Sequence, residues 1–248
     1  RFGTTDALST ILSTTITVFA ESCTVLRCKE ISPFNVFMSN SSLNKPTVTD
    51  DSPAFLLRGN RFKPLAWENM SAEQQQMTRA VFGGQRGNMQ GPYNVLLRSP
   101  EVGHLAQAFG AHTRFNSSLP FALNELAILL VARDWTAQFV WWAHRHIAED
   151  AGLPVSLVQA ISNQTPIPQN LPDDVIAVFE FCKELIQTRK VSDSSFTHVV
   201  KHFGERGVVD LMATMSYYTL VCMSLNVDDY PLPDGVEPEL TAPWGPHP

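Results

Sequence analysis

The chain has 248 residues, 44% hydrophobic and 17% charged, a balance that excludes extensive disorder and allows a sizeable core. Its formal net charge of −6 and pI near 5.6 leave no basic excess for a phosphate backbone, so nucleic acid is not an expected partner. No uninterrupted apolar run approaches the roughly 18 to 20 residues needed to cross a bilayer, so no membrane is expected either.

Residues 7–26 (ALSTILSTTITVFAESCTVL) are rich in Ser and Thr and carry Glu21 inside their apolar stretch, a poor pattern for a signal peptide. Residues 40–53 turn to Ser, Asn, Asp and Pro, as linkers do. The expected organisation is an N-terminal extension over 1–50 and a helical domain over 51–248. Four cysteines stand at 23, 28, 182 and 222 with no CxxC pair. The two in the body of the chain sit in apolar helical patterns and read as reduced core thiols of a cytoplasmic protein.

From Ser71 the pattern is helical. Ser71-Ala72-Glu73-Gln74 fits a capping box, and the helix it opens should run to about Phe82. The breaker Gly83-Gly84-Gln85-Arg86-Gly87 lacks the order of a phosphate cradle. Ser99-Pro100-Glu101 starts another helix, on which Leu105, Phe109 and His112 recur at helical spacing. Pro120 and Pro154 read as first-turn prolines, Leu171-Pro172-Asp173-Asp174 opens a helix reaching Arg189, and Asp193 or Ser194 starts the next. The stretch 207–226 is apolar nearly all round and should be central and buried. With no convincing period-two pattern, the body is all-α.

The central stretch 124–152 places Glu125, His144 and His146 in an apolar background. One unbroken helix would hold Glu125 and His144 about 28 Å apart, so they meet only if the chain folds back. Asp134-Trp135-Thr136 is the expected break, with Thr136 capping a helix that starts at Ala137. In that helix Ala137, Val140, His144, Ile147 and Ala151 form one inward stripe. His146 points elsewhere, and H-x-H is a poor chelate on a helix. His198 and His202 have chelating spacing, but they lie opposite the apolar stripe Phe196, Val199, Val200 and Phe203 with no evident third ligand. They read as a solvated face, and no metal is expected.

Glu125, eleven residues, Ala137, two residues, Val140, three residues, His144, then Ile147-Ala148 and Ala151-Gly152-Leu153 resembles the carboxymuconolactone decarboxylase and alkylhydroperoxidase D superfamily. The peroxidase branch has Glu-x11-Cys-x2-Cys-x3-His at this spacing. Glu125 and His144 match, both cysteines are replaced, and Trp141 looks more like the decarboxylase branch. The resemblance extends through residues 91–103 and 204–226 to PLPDG at Pro231, covering about 53–240. It implies an all-α, alkylhydroperoxidase D-like fold assembled as homotrimers or homohexamers.

The activity so implied is that of a carboxy-lyase or related acid–base enzyme, acting on a small organic acid or lactone without a metal or organic cofactor. His144 would be the proton donor and Glu125 would orient it. Arg98, Arg114 and Arg133 are the candidate grips for a substrate carboxylate, though surface or ion-pair roles compete for each and none has a motif match. Trp141 is the aromatic neighbour assigned to the substrate. Three other readings compete: a Glu125–His144 ion pair that only fixes packing, a thiol peroxidase, which positions 137 and 140 disfavour, and a non-catalytic oligomeric ligand-binding protein.

Overall fold

A computed structural model describes residues 57–242. The expected extension, the linker, the boundary near residue 50, Cys23 and Cys28 lie outside the described residues. Within 57–242 the chain is helical and no strand occurs.

A 3-10 turn, Trp67–Asn69, precedes α1 (Ala72–Gly83), whose capping box forms as expected: the Ser71 hydroxyl accepts from Gln74 N–H and the Gln74 side chain accepts from Ser71 N–H. The short α2 (Tyr93–Leu96) leads into α3 (Pro100–Phe115), with Pro100 at its first position. Leu105 and Phe109 mark the period of α3 but lie on its exposed face. The face turned inward is small: Gly103, Ala106, Gly110 and Thr113. A Cβ on Gly110 would overlap the Tyr217 ring, so glycine permits that close approach.

Next come α4 (Phe121–Asp134), α5 (Gln138–Asp150), α6 (Val155–Asn163) and α7 (Asp173–Thr188). Pro120, Pro154 and Pro172 stand one position before the first helical residue rather than inside the first turn. Each is held extended there and steers the chain into the helix. The final helix, α8 (Asp193–Asp228), starts from the Ser192 cap and is interrupted at Gly204, where φ is 66° and ψ is 179°.

The hub of the bundle is α4, whose residues 123–133 are all buried and which packs against α5, α6, α7 and α8. The expectation of a wholly buried 207–226 therefore needs correction. The α8 segment buries Val208, Leu211, Met215, Tyr218, Cys222 and Leu225, but Val209, Met212, Met223 and Val227 face outward. By length and composition α8 could cross a bilayer; 61% of its apolar window is buried inside the bundle, so packing accounts for most of that apolarity.

Two segments tie the ends of the described chain to the bundle. The buried Asp228 carboxylate accepts from the backbone N–H groups of Arg61 (3.0 Å) and Phe62 (2.7 Å). The extended segment 239–241 runs along α4 and α5. Its Glu239 accepts from Trp141 Nε1–H at 2.7 Å, Leu240 O from the Gln138 amide at 2.6 Å, and Thr241 O from Arg133 at 3.0 Å.

Candidate active site

The turn after α4 creates the site. Its last turn closes as a Schellman motif: Ala137 N–H reaches Ala132 O (2.9 Å), Thr136 N–H reaches Arg133 O (3.1 Å), and Thr136 sits in the left-handed region with φ 48°. Thr136 therefore terminates α4 and does not cap α5. The cap position of α5 belongs to Ala137, and the Thr136 hydroxyl is buried without a partner among the described residues. Because glycine usually marks this position, a threonine there concealed the motif.

The turn lays α5 back against α4 and brings together residues 19 apart in sequence. His144 Nδ1 lies 2.7 Å from Glu125 Oε2. Glu125 is 0% exposed and His144 5%, so the pair has left water, where an isolated charge is costly and a charge-assisted hydrogen bond is strong. Tyr218 packs edge-on against the imidazole at 5.0 Å between ring centres. With Nδ1 committed to Glu125, Nε2 is the nitrogen left for chemistry.

His144 lines a cavity of about 150 Å³, the volume of a site that holds one six-membered ring. Its walls are aromatic and aliphatic: Tyr93, Phe139, Val140, Trp142, Tyr217 and Tyr218 among them. Two guanidinium groups, Arg86 and Arg114, complete the lining. Arg86 stands over the Tyr93 and Tyr217 rings at 5.7 and 5.8 Å and donates to the Tyr217 hydroxyl at 3.4 Å. Two polar atoms of the lining, Arg86 Nε and the Tyr93 hydroxyl, are buried with no hydrogen-bond partner at normal distance among the described residues, as is Glu125 Oε1 behind the histidine. Buried polar atoms usually find a partner, and the two on the cavity wall suit a polar ligand.

Of the residues expected here, Glu125, His144 and Arg114 are at the cavity or directly behind it. Arg98, Arg133 and Trp141 do not line it. Arg98 donates to the backbone carbonyls of Lys63 and Asn94, and Arg133 donates through Nη2 to Thr241 O. Trp141 is 1% exposed and faces the 239–241 segment; its neighbour Trp142, turned by about 100°, reaches the cavity. Arg86 leaves no trace in the helical pattern because it lies in a glycine-rich loop, where no periodicity points to a face. Its being the single cation of that loop was the available signal.

His198 and His202 also need correction. Each side chain is only 23% exposed, and both Nε2 atoms converge on Asp173 at 3.0 and 2.9 Å. The expected solvated face thus has a third metal-ligating group from another helix.

The two thiols among the described residues are far from reactive. Cys182 and Cys222 have no exposed surface, and burial pushes both thiols up, away from the thiolate. We expect iodoacetamide at pH 8 to leave both unlabelled in the native protein and to label both after guanidinium denaturation, as read by peptide mapping. Labelling of either in the folded state at the rate of a free cysteine would overturn this.

No family model matches the chain, and no curated protein matches it. Among solved structures it is similar to an alkylhydroperoxidase AhpD core, an uncharacterized peroxidase-related protein from Ralstonia eutropha JMP134. The TM-score is 0.58 at 14% identity, over 72% of this chain and 95% of that one. A protein of unknown function from Agrobacterium tumefaciens, described in terms of AhpD antioxidant defence, aligns with TM-score 0.49 and 15% identity over 60% of this chain and all of that one. The all-α alkylhydroperoxidase D-like fold expected from the motif is the fold observed.

Proposed function

We propose that this chain is an acid–base enzyme, of the carboxymuconolactone decarboxylase type, acting on a small, ring-sized organic anion with its own side chains. The observation that carries the reading is the buried Glu125–His144 pair, 2.7 Å apart, at the wall of a cavity that also holds Arg86 and Arg114. His144 Nε2 moves the proton, and Glu125 Oε2 fixes the tautomer by accepting from Nδ1. Arg86 and Arg114 hold the substrate anion, while the aromatic walls exclude water and strengthen those charges. On a carboxylated unsaturated lactone, the C–CO₂ bond breaks and its electron pair passes into the conjugated carbonyl. A ring carbon then takes the Nε2 proton of the doubly protonated His144, whose Nδ1–H stays on Glu125; CO₂ leaves, and a proton from solvent restores Nε2.

Ala137 and Val140 stand where the peroxidase branch carries thiols, which argues against peroxide reduction through that pair. A homotrimer or homohexamer belongs to the same proposal, supported by the outward-facing Val102, Leu105 and Phe109 of α3 and Val209 and Met212 of α8.

The test offers the protein 4-carboxymuconolactone and a panel of ring-sized organic acids, following CO₂ release and melting temperature. Saturable stabilisation and turnover are expected, with affinity at least ~10-fold weaker in Arg86→Gln, since the bidentate, always-charged grip on the carboxylate is gone. A folded wild type that neither turns over nor is stabilised by any member of the panel would defeat the proposal.

A further inference from the structure

We propose that Asp173, His198 and His202 form a binding site for a zinc-class divalent cation that cross-links α7 to the first segment of α8. The site is separate from the cavity at His144, and it reverses the expectation of no metal.

The geometry begins with helical spacing. His198 and His202 are four apart on α8, so their rings stack along one face, with centres 5.5 Å apart. Asp173, the first residue of α7, enters from the facing helix with one oxygen toward each ring: Oδ1 lies 3.0 Å from His198 Nε2, and Oδ2 lies 2.9 Å from His202 Nε2. One donor atom from each of the three residues can be chosen so that all lie within 4.8 Å of one another. Bonds of about 2.0 to 2.2 Å around a tetrahedral zinc set its donor atoms roughly 3.3 Å apart, so small side-chain rotations suffice.

The donor chemistry selects the ion. Two imidazoles and one carboxylate suit zinc, cobalt or nickel, whereas magnesium and calcium take oxygen donors. The carboxylate stands at the centre of the cluster, where His198 Nε2, His202 Nε2 and Lys201 Nζ all point at its oxygens. Glu180 Oε2 lies 3.9 Å from His198 Nδ1, in place to become the carboxylate that orients a ligating histidine from behind.

One group opposes the ion. Lys201 Nζ sits 3.2 Å from Asp173 Oδ2, but its side chain is 67% exposed and can swing into solvent. A bound cation would replace the Nε2 protons and this ammonium as the positive charge facing Asp173. Three protein ligands leave a fourth position for water on the exposed side, so the site can also bind a small anion through the metal.

The test uses the full chain with Cys23→Ser and Cys28→Ser, so that these thiols cannot bind the metal. After EDTA treatment, zinc chloride is titrated by calorimetry and cobalt chloride by visible absorption. One equivalent is expected, with a tetrahedral cobalt band, no sulfur charge-transfer band and a raised melting temperature. His198→Gln and His202→Gln should each weaken zinc binding by more than ~10-fold, the least that loss of even an outer partner costs. Lys201→Ala should tighten binding by removing the competing ammonium. If Asp173, Lys201 and the histidines were only an ion cluster, Lys201→Ala would leave metal uptake unchanged. That result, the absence of stoichiometric uptake in the parent, or equal affinity in the histidine variants overturns the proposal.

Discussion

His144→Gln should leave the melting temperature within a few degrees of the parent and reduce turnover of the substrate by roughly 10² to 10⁴, the usual contribution of a positioned general acid. Glutamine fills similar space and can still hydrogen-bond to Glu125, but it cannot deliver a proton near neutral pH. Glu125→Gln should be milder, because an amide oxygen can still accept from Nδ1 while the fixed negative charge is lost. Turnover and thermal melts for both variants separate the possibilities. Unchanged turnover in His144→Gln would remove the histidine from the chemistry. Equal losses of melting temperature and activity would mark the pair as a packing device.

The largest stability loss is expected at Trp141, and the contrast with its neighbour is informative. Trp141→Ala removes a fully buried indole and the donor that Glu239 uses, at a cost of about 3 to 5 kcal/mol. For a domain of this size that lowers Tm by roughly 6 to 20 °C. The folded fraction should still bind the ring-sized anion with affinity within about twofold of the parent, because Trp141 does not touch the cavity. Trp142 lines the cavity and is only half-buried, so Trp142→Ala should reverse the pattern, with a small change in Tm and at least ~10-fold weaker binding. Melts and ligand titrations on the two variants decide it. A Trp141→Ala protein that is stable but has lost affinity would return that residue to the site.

These two tryptophans also show where the sequence stopped being informative. Helical periodicity states that residues 141 and 142 point about 100° apart, but which one faces the ligand depends on a tail about 98 positions away. The Glu125–His144 meeting was legible because the motif spacing and the missing covalent reach of a straight helix required a turn between them. Its form was not, since Thr136 occupies a left-handed position that glycine ordinarily announces. The helices themselves followed from caps and prolines, which are local signals. Arg86 comes from a loop, and Asp173 meets His198 across 25 positions and two helices. Neither leaves a periodic trace, because both depend on how separate elements pack.

The strap at residues 239–241 bears on how the protein is made. Its bonds to Trp141, Gln138 and Arg133 span 98, 102 and 108 positions. A ribosome adding about 5 to 20 residues per second needs roughly 5 to 20 s to synthesise that interval. For that time the helix carrying His144 has emerged while the segment that covers its outer edge does not yet exist. The nascent chain must therefore keep the indole of Trp141 from other partners until residue 239 has been made.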